Sequence, residues 1–427
     1  MHRTGGVHMS EQPVFDTAGR AYGRPAATFD EKLIQAGPGT PGGELLRRYW
    51  QPVARSDEVG DLPVAVTVLT EDLILFRDKS GNPGLVYPRC MHRGTSLIYG
   101  KIEAQGIRCP YHGWLYDTQG RCLETPCEPD SRVKEKVRQP WYPVFERFGL
   151  VFAYLGPPDK EPRFPAISLL ENLAPDEEIV AGGSCRAPSG QHALFAGYQD
   201  FNWWSFYDNF MDPFHVCALH STINGTQFVE SLRILPEVTS EYTADGVRTV
   251  QHRRLENGRV HQRLSQTIMP NINCTAGVGD DLGRSGISWT VAATDSSYRF
   301  FTLNVVKKGV DPRSNMRSLG MMRPEWGPGK PYEEWTLEDH QRWQTDYVTQ
   351  KGQGDVNLHS DEHLTVIDRA TAMLRRLFKQ QCDKVANGED PIGICYDEPY
   401  KLKVMAGNAL LDGETLEYLD GYDGRDL

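Results

Sequence analysis

The chain has 427 residues, enough for two domains or for one large domain with a smaller one attached. Hydrophobic residues make up 39% and charged residues 24%, the ordinary balance of a soluble globular protein. The formal net charge of −11 argues against a nucleic-acid or anionic-membrane partner, because such partners attract basic surfaces. No run of about 18 apolar residues occurs, so we expect no transmembrane helix.

The N-terminal residues 1–25 are polar and Gly-rich and lack the apolar centre of a signal peptide. We therefore expect a loose tail and a cytoplasmic protein. Nine cysteines are scattered along the chain, an odd number that does not suggest a disulfide framework. A bridge between Cys122 and Cys127 stays open, but reduced thiols are the expected state, with a subset binding metal.

Residues 45–154 consist of short strand-like runs that are separated by turn residues. The runs include 64–69, 73–76 and 149–155, and turn-forming stretches such as 80–83 lie between them. This pattern predicts a small all-β domain.

Two motifs in this region combine cysteine with histidine. Cys90 and His92 form a C-x-H motif, and Cys109 and His112 form a C-x-x-H motif. Either motif alone arises readily by chance, but both in close succession are rare. Two thiolates can hold one ferric ion and two neutral imidazoles another, and the neutral ligands raise the reduction potential of such a 2Fe–2S cluster. Gly94 and Gly113 then allow tight loops beside a buried cluster.

A structural zinc site would use the same four ligand atoms. Zinc fingers pair cysteine with cysteine and histidine with histidine along the chain, whereas each loop here is mixed. On these loops the sequence resembles Rieske proteins. The resemblance continues through residues 115–124, where Asp117, Gln119 and Gly120 predict a hairpin turn.

A proline-dense segment follows and is typical of an interdomain linker; it contains Pro157, Pro158, Pro162 and Pro165. We therefore predict a tail and lead-in over 1–44, the all-β domain over 45–156 and a larger domain over 157–427. In the larger domain, residues 247–252, 287–294 and 300–306 favour strands of an antiparallel sheet.

Two helices are expected in the larger domain, over residues 202–220 and 361–385, and the second should end near Gly388. Apolar residues recur in the second at intervals of three and four: Leu364, Ile367, Ala370, Met373, Leu374, Leu377 and Phe378. That spacing is typical of an amphipathic helix packed on a core.

The predicted 202–220 helix contains Asn209, Asp212, His215 and His220 within one aromatic stretch. A lone helix histidine is more often a core residue than a metal ligand, but this cluster favours a metal site. The stretch resembles the D-x-x-H-x4-H signature of Rieske non-haem iron oxygenases. The resemblance implies that His215 and His220 bind Fe(II) in a two-His-one-carboxylate triad. It also implies that Asp212 bridges a cluster-ligating and an iron-ligating histidine, and that Asn209 is the polar residue near the iron.

The third iron ligand should be a carboxylate further downstream. In phthalate-type members of the family it sits in a Q-D or T-D pair, which points to Asp346 after Thr345. Asp339 and Asp355 are the alternatives. Solvated surface charge is the default interpretation of such acidic residues.

The resemblance implies an α+β fold, with a Rieske 2Fe–2S domain over 45–156 and a catalytic iron domain over 157–427. The catalytic domain should have a helix-grip, START-like arrangement in which helices flank an antiparallel sheet. A 2Fe–2S cluster and a mononuclear Fe(II) are the implied cofactors. The implied electron donor is an NAD(P)H-dependent reductase, a ferredoxin or both. The implied substrates are O2 and an aromatic acid. The family also implies a homotrimer in which the working cluster and iron belong to neighbouring subunits.

Among family branches, the sequence most resembles the phthalate-like one, which includes phenoxybenzoate dioxygenases and O-demethylases of methoxylated aromatic acids. We expect O-demethylation of a lignin-derived biaryl acid with release of formaldehyde, and ring cis-dihydroxylation is the alternative. A Rieske electron-transfer protein and a zinc-stabilised binding protein are alternatives of another class.

Two residue sets are candidates for a substrate pocket. Five aromatic residues around the second site suit a flat substrate, although core packing is the alternative: Trp203, Trp204, Phe206, Phe210 and Phe214. Arg253, Arg254 and Arg299 lie in strand-like regions, where we interpret them as surface charges rather than partners of an acid.

Overall fold

The computed structural model describes residues 21, 24–130, 132–185, 198–223, 228–276, 285–309, 327–330 and 334–412. The predicted tail therefore lies almost entirely outside the described residues, as does the chain beyond residue 412. No helix within the described ranges is long and apolar enough to cross a membrane.

The first part of the described chain is built from short antiparallel strands. These are β1 (Gln51–Arg55), β2 (Val64–Val68), β3 (Glu71–Arg77), β4 (Pro83–Val86), β5 (Lys101–Glu103), β6 (Gly106–Arg108), β7 (Leu115–Tyr116), β8 (Cys122–Glu124), β9 (Trp141–Tyr142), β10 (Val144–Arg147) and β11 (Leu150–Ala153). They form sheets in the orders β1-β11-β10, β2-β3-β4-β9 and β5-β6-β7-β8. In β2, Val64, Val66 and Val68 are buried while Ala65 is exposed, as the two-residue period of a strand requires.

The loops that carry the cysteine–histidine motifs extend from these small sheets. One joins β4 to β5 and the other joins β6 to β7, so both lie at sheet ends. The predicted hairpin turn between β7 and β8 is confirmed, because Gly120 has a φ of +72° and donates its N–H to the Asp117 carbonyl at 3.0 Å.

A nine-stranded antiparallel sheet dominates the second part. Its strands are β13 (Glu177–Gly183), β14 (Tyr198–Gln199), β15 (Glu237–Tyr242), β16 (Gly246–Arg254), β17 (Val260–Ile268), β18 (Ile272–Ala276), β19 (Ser285–Thr294), β20 (Ser297–Lys307) and β22 (Gly407–Leu411). The order is β13-β20-β19-β18-β17-β16-β15, with β14 added to β20 and β22 added to β17. A parallel pair, β12 (Ala166–Ile167) with β21 (Lys401–Leu402), stands beside it. The strands expected over 247–252, 287–294 and 300–306 are confirmed.

Helices pack around this sheet, so the fold is α+β with an all-β domain and a larger sheet-and-helix domain, as expected. They are α1 (Glu31–Ile34), α2 (Pro41–Leu46), α3 (Ser168–Glu171), α4 (Trp203–Asn209), α5 (Phe214–Cys217), α6 (Leu337–Arg342), α7 (Asp346–Lys351) and α8 (Arg369–Ala386). A π-helical segment, Ala218–Ile223, follows α5 directly. Helices α1 and α2 lie in the lead-in and pack against α8, so this part of the lead-in is folded.

Both helix predictions need correction in their extent. The 202–220 stretch is broken at residues 210–213, where Pro213 interrupts the first helix and the Asp212 carboxylate accepts the N–H of Phe214 at 2.9 Å to start the next. The 361–385 helix begins only at Arg369, and Leu364 and Ile367 are exposed ahead of it. The helix ends as expected, before Gly388 with a φ of +80°.

The small domain and the large sheet share one hydrophobic core. Phe152 of β11 packs edge-on against Trp289 of β19, with ring centroids 5.7 Å apart. The backbone N–H of Leu69 donates to the Ala292 carbonyl at 2.8 Å. A second, separate core lies under the cysteine–histidine loops and includes Cys90 and Cys109.

Candidate functional site

The two cysteine–histidine loops have the same backbone geometry. Gly94 donates its N–H to the Cys90 carbonyl at 2.8 Å, and Gly113 donates to the Cys109 carbonyl at 3.1 Å. Both glycines have a left-handed φ, +74° and +75°, which a residue with a Cβ adopts only at a cost. Each loop therefore turns back on its own cysteine and presents one sulfur and one imidazole.

The four side chains separate into a buried sulfur pair and a more accessible imidazole pair. Cys90 and Cys109 are both buried, whereas His92 is exposed and His112 half-buried. The two imidazole ring centroids are 4.5 Å apart, and the Trp114 ring stacks on His92 at 4.5 Å. Such a division suits a cluster in which the sulfur-bound iron is inside and the imidazole-bound iron lies near the surface.

The chemistry of these donors fits a 2Fe–2S cluster better than a zinc ion. Burial and the neighbouring Cys90 sulfur raise the pKa of the Cys109 thiol, so a thiolate there needs an adjacent cation. Burial and the nearby His112 lower the pKa of His92, which favours the neutral imidazole that a metal ligand requires. Within the described residues, these four side chains do not converge on one point as a tetrahedral zinc site requires.

Three side chains do converge in the larger domain: His215, His220 and Asp346. One ligand atom from each lies within 4.8 Å of the others. The His220 Nε2 is 3.2 Å and the His215 Nε2 is 3.7 Å from an Asp346 carboxylate oxygen. His220 and Asp346 are buried, while His215 remains 22% exposed, so an ion there would be approached from the His215 side. Two imidazoles and one carboxylate form the donor set that suits ferrous iron with open coordination positions.

The local helix geometry explains how two histidines five positions apart face the same point. In a regular α-helix, side chains five positions apart differ by about 140° around the axis. The wider π-helical turn Ala218–Ile223 contains His220, whereas His215 is on α5. Its i→i+5 hydrogen bonds widen the turn, and such insertions are frequent at functional sites. The sequence did not reveal this segment.

Asp212 fixes the orientation of His215. Its backbone carbonyl accepts a hydrogen bond from His215 Nδ1, and its carboxylate accepts the backbone N–H groups of Phe214 and His215 at 2.9 and 3.3 Å. Because Nδ1 carries the proton, His215 Nε2 keeps its lone pair on the side of Asp346. The Asp212 side chain is 32% exposed, so it reaches the surface next to the candidate iron site.

Asp346 begins α7, directly after Thr345, whose hydroxyl accepts the Val348 N–H. Burial opposes ionisation of Asp346, but His220 and His215 outweigh it and hold the pKa of the carboxyl below its usual value. The two alternatives lie elsewhere. Asp339 caps α6 and pairs with Lys330, and Asp355 is exposed and pairs with Lys351.

A partly buried ion cluster links α4 to α8. Arg375 of α8 donates to the Asp208 carboxylate at 2.7 Å and also pairs with Glu362. Burial raises the pKa of Asp208 to about 6, although Arg375 opposes that shift. Asn209, the next residue, is half-buried, and its carbonyl accepts the Asp212 N–H at 3.1 Å. Among the described residues its amide has no hydrogen-bond partner.

Core packing describes the aromatic stretch better than a pocket does. Trp203 and Trp204 are fully buried and contact Phe378 of α8, with ring centroids 5.6 and 4.8 Å apart. Phe206 packs on β20. Phe210 and Phe214 are half-buried.

The surface interpretation of the three strand arginines is wrong for one of them. Arg254 is exposed and pairs with Glu237 at 3.2 Å. Arg299 is half-buried and donates to the Ser184 carbonyl. Arg253 is completely buried. Strand periodicity alone could not distinguish Arg253 from Arg254, because it does not say which face of the sheet is covered.

Comparison with known proteins agrees with this architecture. A family model described as the Rieske [2Fe-2S] domain matches residues 49–143. The chain is 43% identical to the phenoxybenzoate dioxygenase subunit alpha of Ectopseudomonas oleovorans, over 95% of this chain and 98% of that relative. It is 31% identical to the 5,5'-dehydrodivanillate O-demethylase oxygenase subunit of a Sphingobium species, over 92% and 90%. The solved structure of NdmA from Pseudomonas putida CBB5 has the same fold, with a TM-score of 0.61 at 20% identity over 84% of this chain and 100% of its own.

Proposed function

The chain belongs to the Rieske non-haem iron oxygenases, and from that premise we propose that it is the terminal oxygenase that oxidises an aromatic acid with O2. The family's cofactors are a Rieske 2Fe–2S cluster and a mononuclear iron. The observation that carries the proposal is the convergence of His215, His220 and Asp346 in a chain that also has the Rieske domain. An electron-transfer protein would need only the first centre.

The proposed ligands divide between the two centres. Cys90, His92, Cys109 and His112 hold the cluster, and His215, His220 and Asp346 hold the iron. When bound, the two centres supply the electrons and the O2 activation that the oxidation needs. The convergence of the three iron ligands, the close approach of the His92 and His112 rings and the donor chemistry described above support this assignment.

The protein's own contribution is to orient the donors and control water. The Asp212 carbonyl holds the proton on His215 Nδ1, so that Nε2 is available as a ligand. His220 and Asp346 are buried, which keeps bulk water from that side of the site. Asp346 stays ionised despite burial because the two imidazoles stabilise its charge. Asn209 is the proposed polar residue near the iron, and its backbone carbonyl accepts the Asp212 N–H.

We also propose a homotrimer whose electron path crosses a subunit boundary at Asp212, and an NAD(P)H-dependent reductase or ferredoxin as the electron donor. Exposure of His92 and partial exposure of Asp212 support the boundary, because both groups are open to a neighbouring molecule.

Two reactions have equal support. The 43% identical relative is named as a dioxygenase of phenoxybenzoate, and the 31% identical relative as an O-demethylase of dehydrodivanillate. Both names describe carboxylated aromatic compounds. One iron site can oxidise either a ring carbon or a methyl carbon, depending on which of these carbons faces the iron.

A panel of acids distinguishes the two reactions. The purified oxygenase would be given NADH, a surrogate reductase and either 3-phenoxybenzoate or 5,5'-dehydrodivanillate. Formaldehyde in proportion to O2 consumed supports O-demethylation, whereas a dihydroxylated ring product without formaldehyde supports dioxygenation. O2 uptake without oxidation of any aromatic acid in the panel would contradict the proposed substrate class.

A further inference from the structure

One face of the large sheet carries buried polar side chains. Thr249, Gln251 and Arg253 of β16 alternate along the strand and therefore point to the same side. Their cross-strand partners on β17, Ser265 and Arg263 among them, point to that side as well. All of these residues are buried. An entirely structural sheet face would bury apolar side chains here, so the polar composition calls for a ligand or for ordered water.

Arg253 is the most deeply buried arginine of the described residues. It is 0% exposed, and its Nη2 has no hydrogen-bond partner within the described residues. No carboxylate in those residues forms an ion pair with it. By contrast, Arg375 pairs with Asp208, and Arg47 pairs with Glu71. A buried guanidinium without an anion is costly, so such a group normally has a counter-charge in the working protein.

The other two nitrogens of the guanidinium are held firmly. Arg253 Nε donates to the Ile234 carbonyl at 3.0 Å, and Nη1 donates to Gln251 Oε1 at 3.0 Å. Gln251 is itself tied to Ser265 and Thr249. These contacts hold the planar group in a fixed orientation, while Nη2 has no hydrogen-bond partner among the described residues.

Arg253 contacts the chain segment that carries the two histidines of the proposed iron site. The Cys217 thiol interacts with the guanidinium and shares the Ile234 carbonyl with it, at 3.4 Å from the sulfur. Cys217 ends α5, between His215 and His220 in sequence. The same sheet face presents further buried polar atoms without a partner among the described residues: His261 Nδ1, Thr290 Oγ1 and the Asn273 amide.

We propose that Arg253 binds the carboxylate of the aromatic acid through its free Nη2 and so positions the ring toward the iron. The inference rests on the proposed function, because it names the residue that recognises the acid. An acid carboxylate supplies the missing anion, and a charge-assisted hydrogen bond in a buried site is strong and directional. A neutral analogue would lack the charge that this position needs.

The test measures binding to the holoenzyme by isothermal titration calorimetry, with 3-phenoxybenzoate and its neutral amide as probes. Arg253→Gln removes the charge, Arg253→Lys keeps it without the planar fork, and Arg254→Gln is the matched control on the same strand. The Kd of the acid should rise about tenfold or more in Arg253→Gln. Arg253→Gln should bind the neutral amide with the same Kd as the wild type does. Arg254→Gln should bind both probes with wild-type Kd values.

Three results would overturn the proposal: no binding of the acid to the wild type, unchanged acid affinity in Arg253→Gln, or equal losses for acid and amide, which would indicate a structural role. If Arg253→Gln loses its cluster spectrum, Arg253→Lys decides the question, and it should weaken acid binding alone. The two proposals fail separately. Arg253-dependent binding without turnover would count against the proposed function only, whereas turnover with Arg253-independent binding would count against this inference only.

Discussion

At the scale of single residues, the proposed iron site depends on one carboxylate that could have been any of three. Asp346 lies between two imidazoles, whereas Asp355 is nine residues away in sequence, exposed and paired with Lys351. Only the former has the burial and the neighbours that a metal ligand needs.

Asp346→Asn should therefore lose mononuclear iron, because the amide keeps the shape but not the charge of the carboxylate. We expect iron beyond the cluster's two atoms to fall to background and product formation to fall by about 100-fold or more. Metal analysis with acid-labile sulfide as the internal reference measures this. Asp355→Asn is the control and should retain iron and activity. If Asp355→Asn lost the iron and Asp346→Asn kept it, Asp355 and not Asp346 would be the ligand.

Asp212 is expected to act differently, through the histidine that it orients and through the proposed subunit boundary. In Asp212→Asn the backbone carbonyl still accepts from His215, and the side-chain oxygen can still accept the Phe214 N–H. Both centres should therefore be present at wild-type amounts while product formation falls by about 100-fold. Stopped-flow oxidation of the reduced cluster in the presence of O2 and substrate should slow to the same extent. Normal cluster oxidation in this variant would rule out the bridging role.

The sequence predicted these residues because their types and spacings are local properties of the chain. Cys90, His92, Cys109 and His112 are recognisable from two short motifs, whereas Asp346 was chosen over Asp339 and Asp355 by resemblance to phthalate-type family members. Arg253 was misassigned as a surface charge. Its burial depends on which face of β16 the helices cover, which is a tertiary property that a strand pattern does not contain.

At the scale of elements, the cluster loops depend on two glycines with nearly identical backbone conformations. A Cβ on Gly94 would meet no other atom within 4 Å, whereas a Cβ on Gly113 would lie 3.1 Å from Pro126 Cγ. The two positions therefore share the left-handed backbone and differ in the space around it.

Gly94→Ala should cost about 1–2 kcal/mol of loop stability through its backbone conformation alone. Gly113→Ala should cost more, because Pro126 must also move. Thermal bleaching of the cluster's visible absorption measures the effect, and the bleaching temperature should decrease from wild type to Gly94→Ala to Gly113→Ala. Equal bleaching of all three proteins would show that the glycines are not required for the loop geometry.

The helices show which structural features the local sequence did not predict. The apolar positions Leu364 and Ile367 fit the period of α8 yet lie outside it and are exposed, because the helix begins only at Arg369. Likewise, the π-helical turn around His220 replaces the predicted continuous helix. Periodicity predicts that helices exist more reliably than where they begin or change type.

At the scale of the whole molecule, the proposed trimer predicts that a subunit without its cluster and a subunit without its iron can restore each other's activity. A Cys109→Ser subunit should lack the cluster and keep the iron, and a His220→Ala subunit should lack the iron and keep the cluster. The two variants would be co-expressed with different tags, and the mixed oligomer would be purified by both tags in turn. It should regain product formation, because the cluster of one subunit donates electrons to the iron of its neighbour.

Each variant purified alone is the control and should be inactive. A mixed oligomer that contains both centres and remains inactive would contradict electron transfer between subunits. It would leave the identity of the two centres untouched.

The central claim, that the His215 site oxidises substrate with electrons from the Rieske cluster, is tested most directly by one comparison. Wild-type protein and His215→Ala would be turned over with a reductase, 18O2 and the best acid of the panel, and the products would be analysed by mass spectrometry. We predict 18O-labelled product from the wild type; if a methyl group is removed, we predict formaldehyde in proportion to the O2 consumed, because the oxygen of formaldehyde exchanges with water. His215→Ala should form none while its visible cluster spectrum remains unchanged. Labelled product from His215→Ala at the wild-type rate would contradict the account.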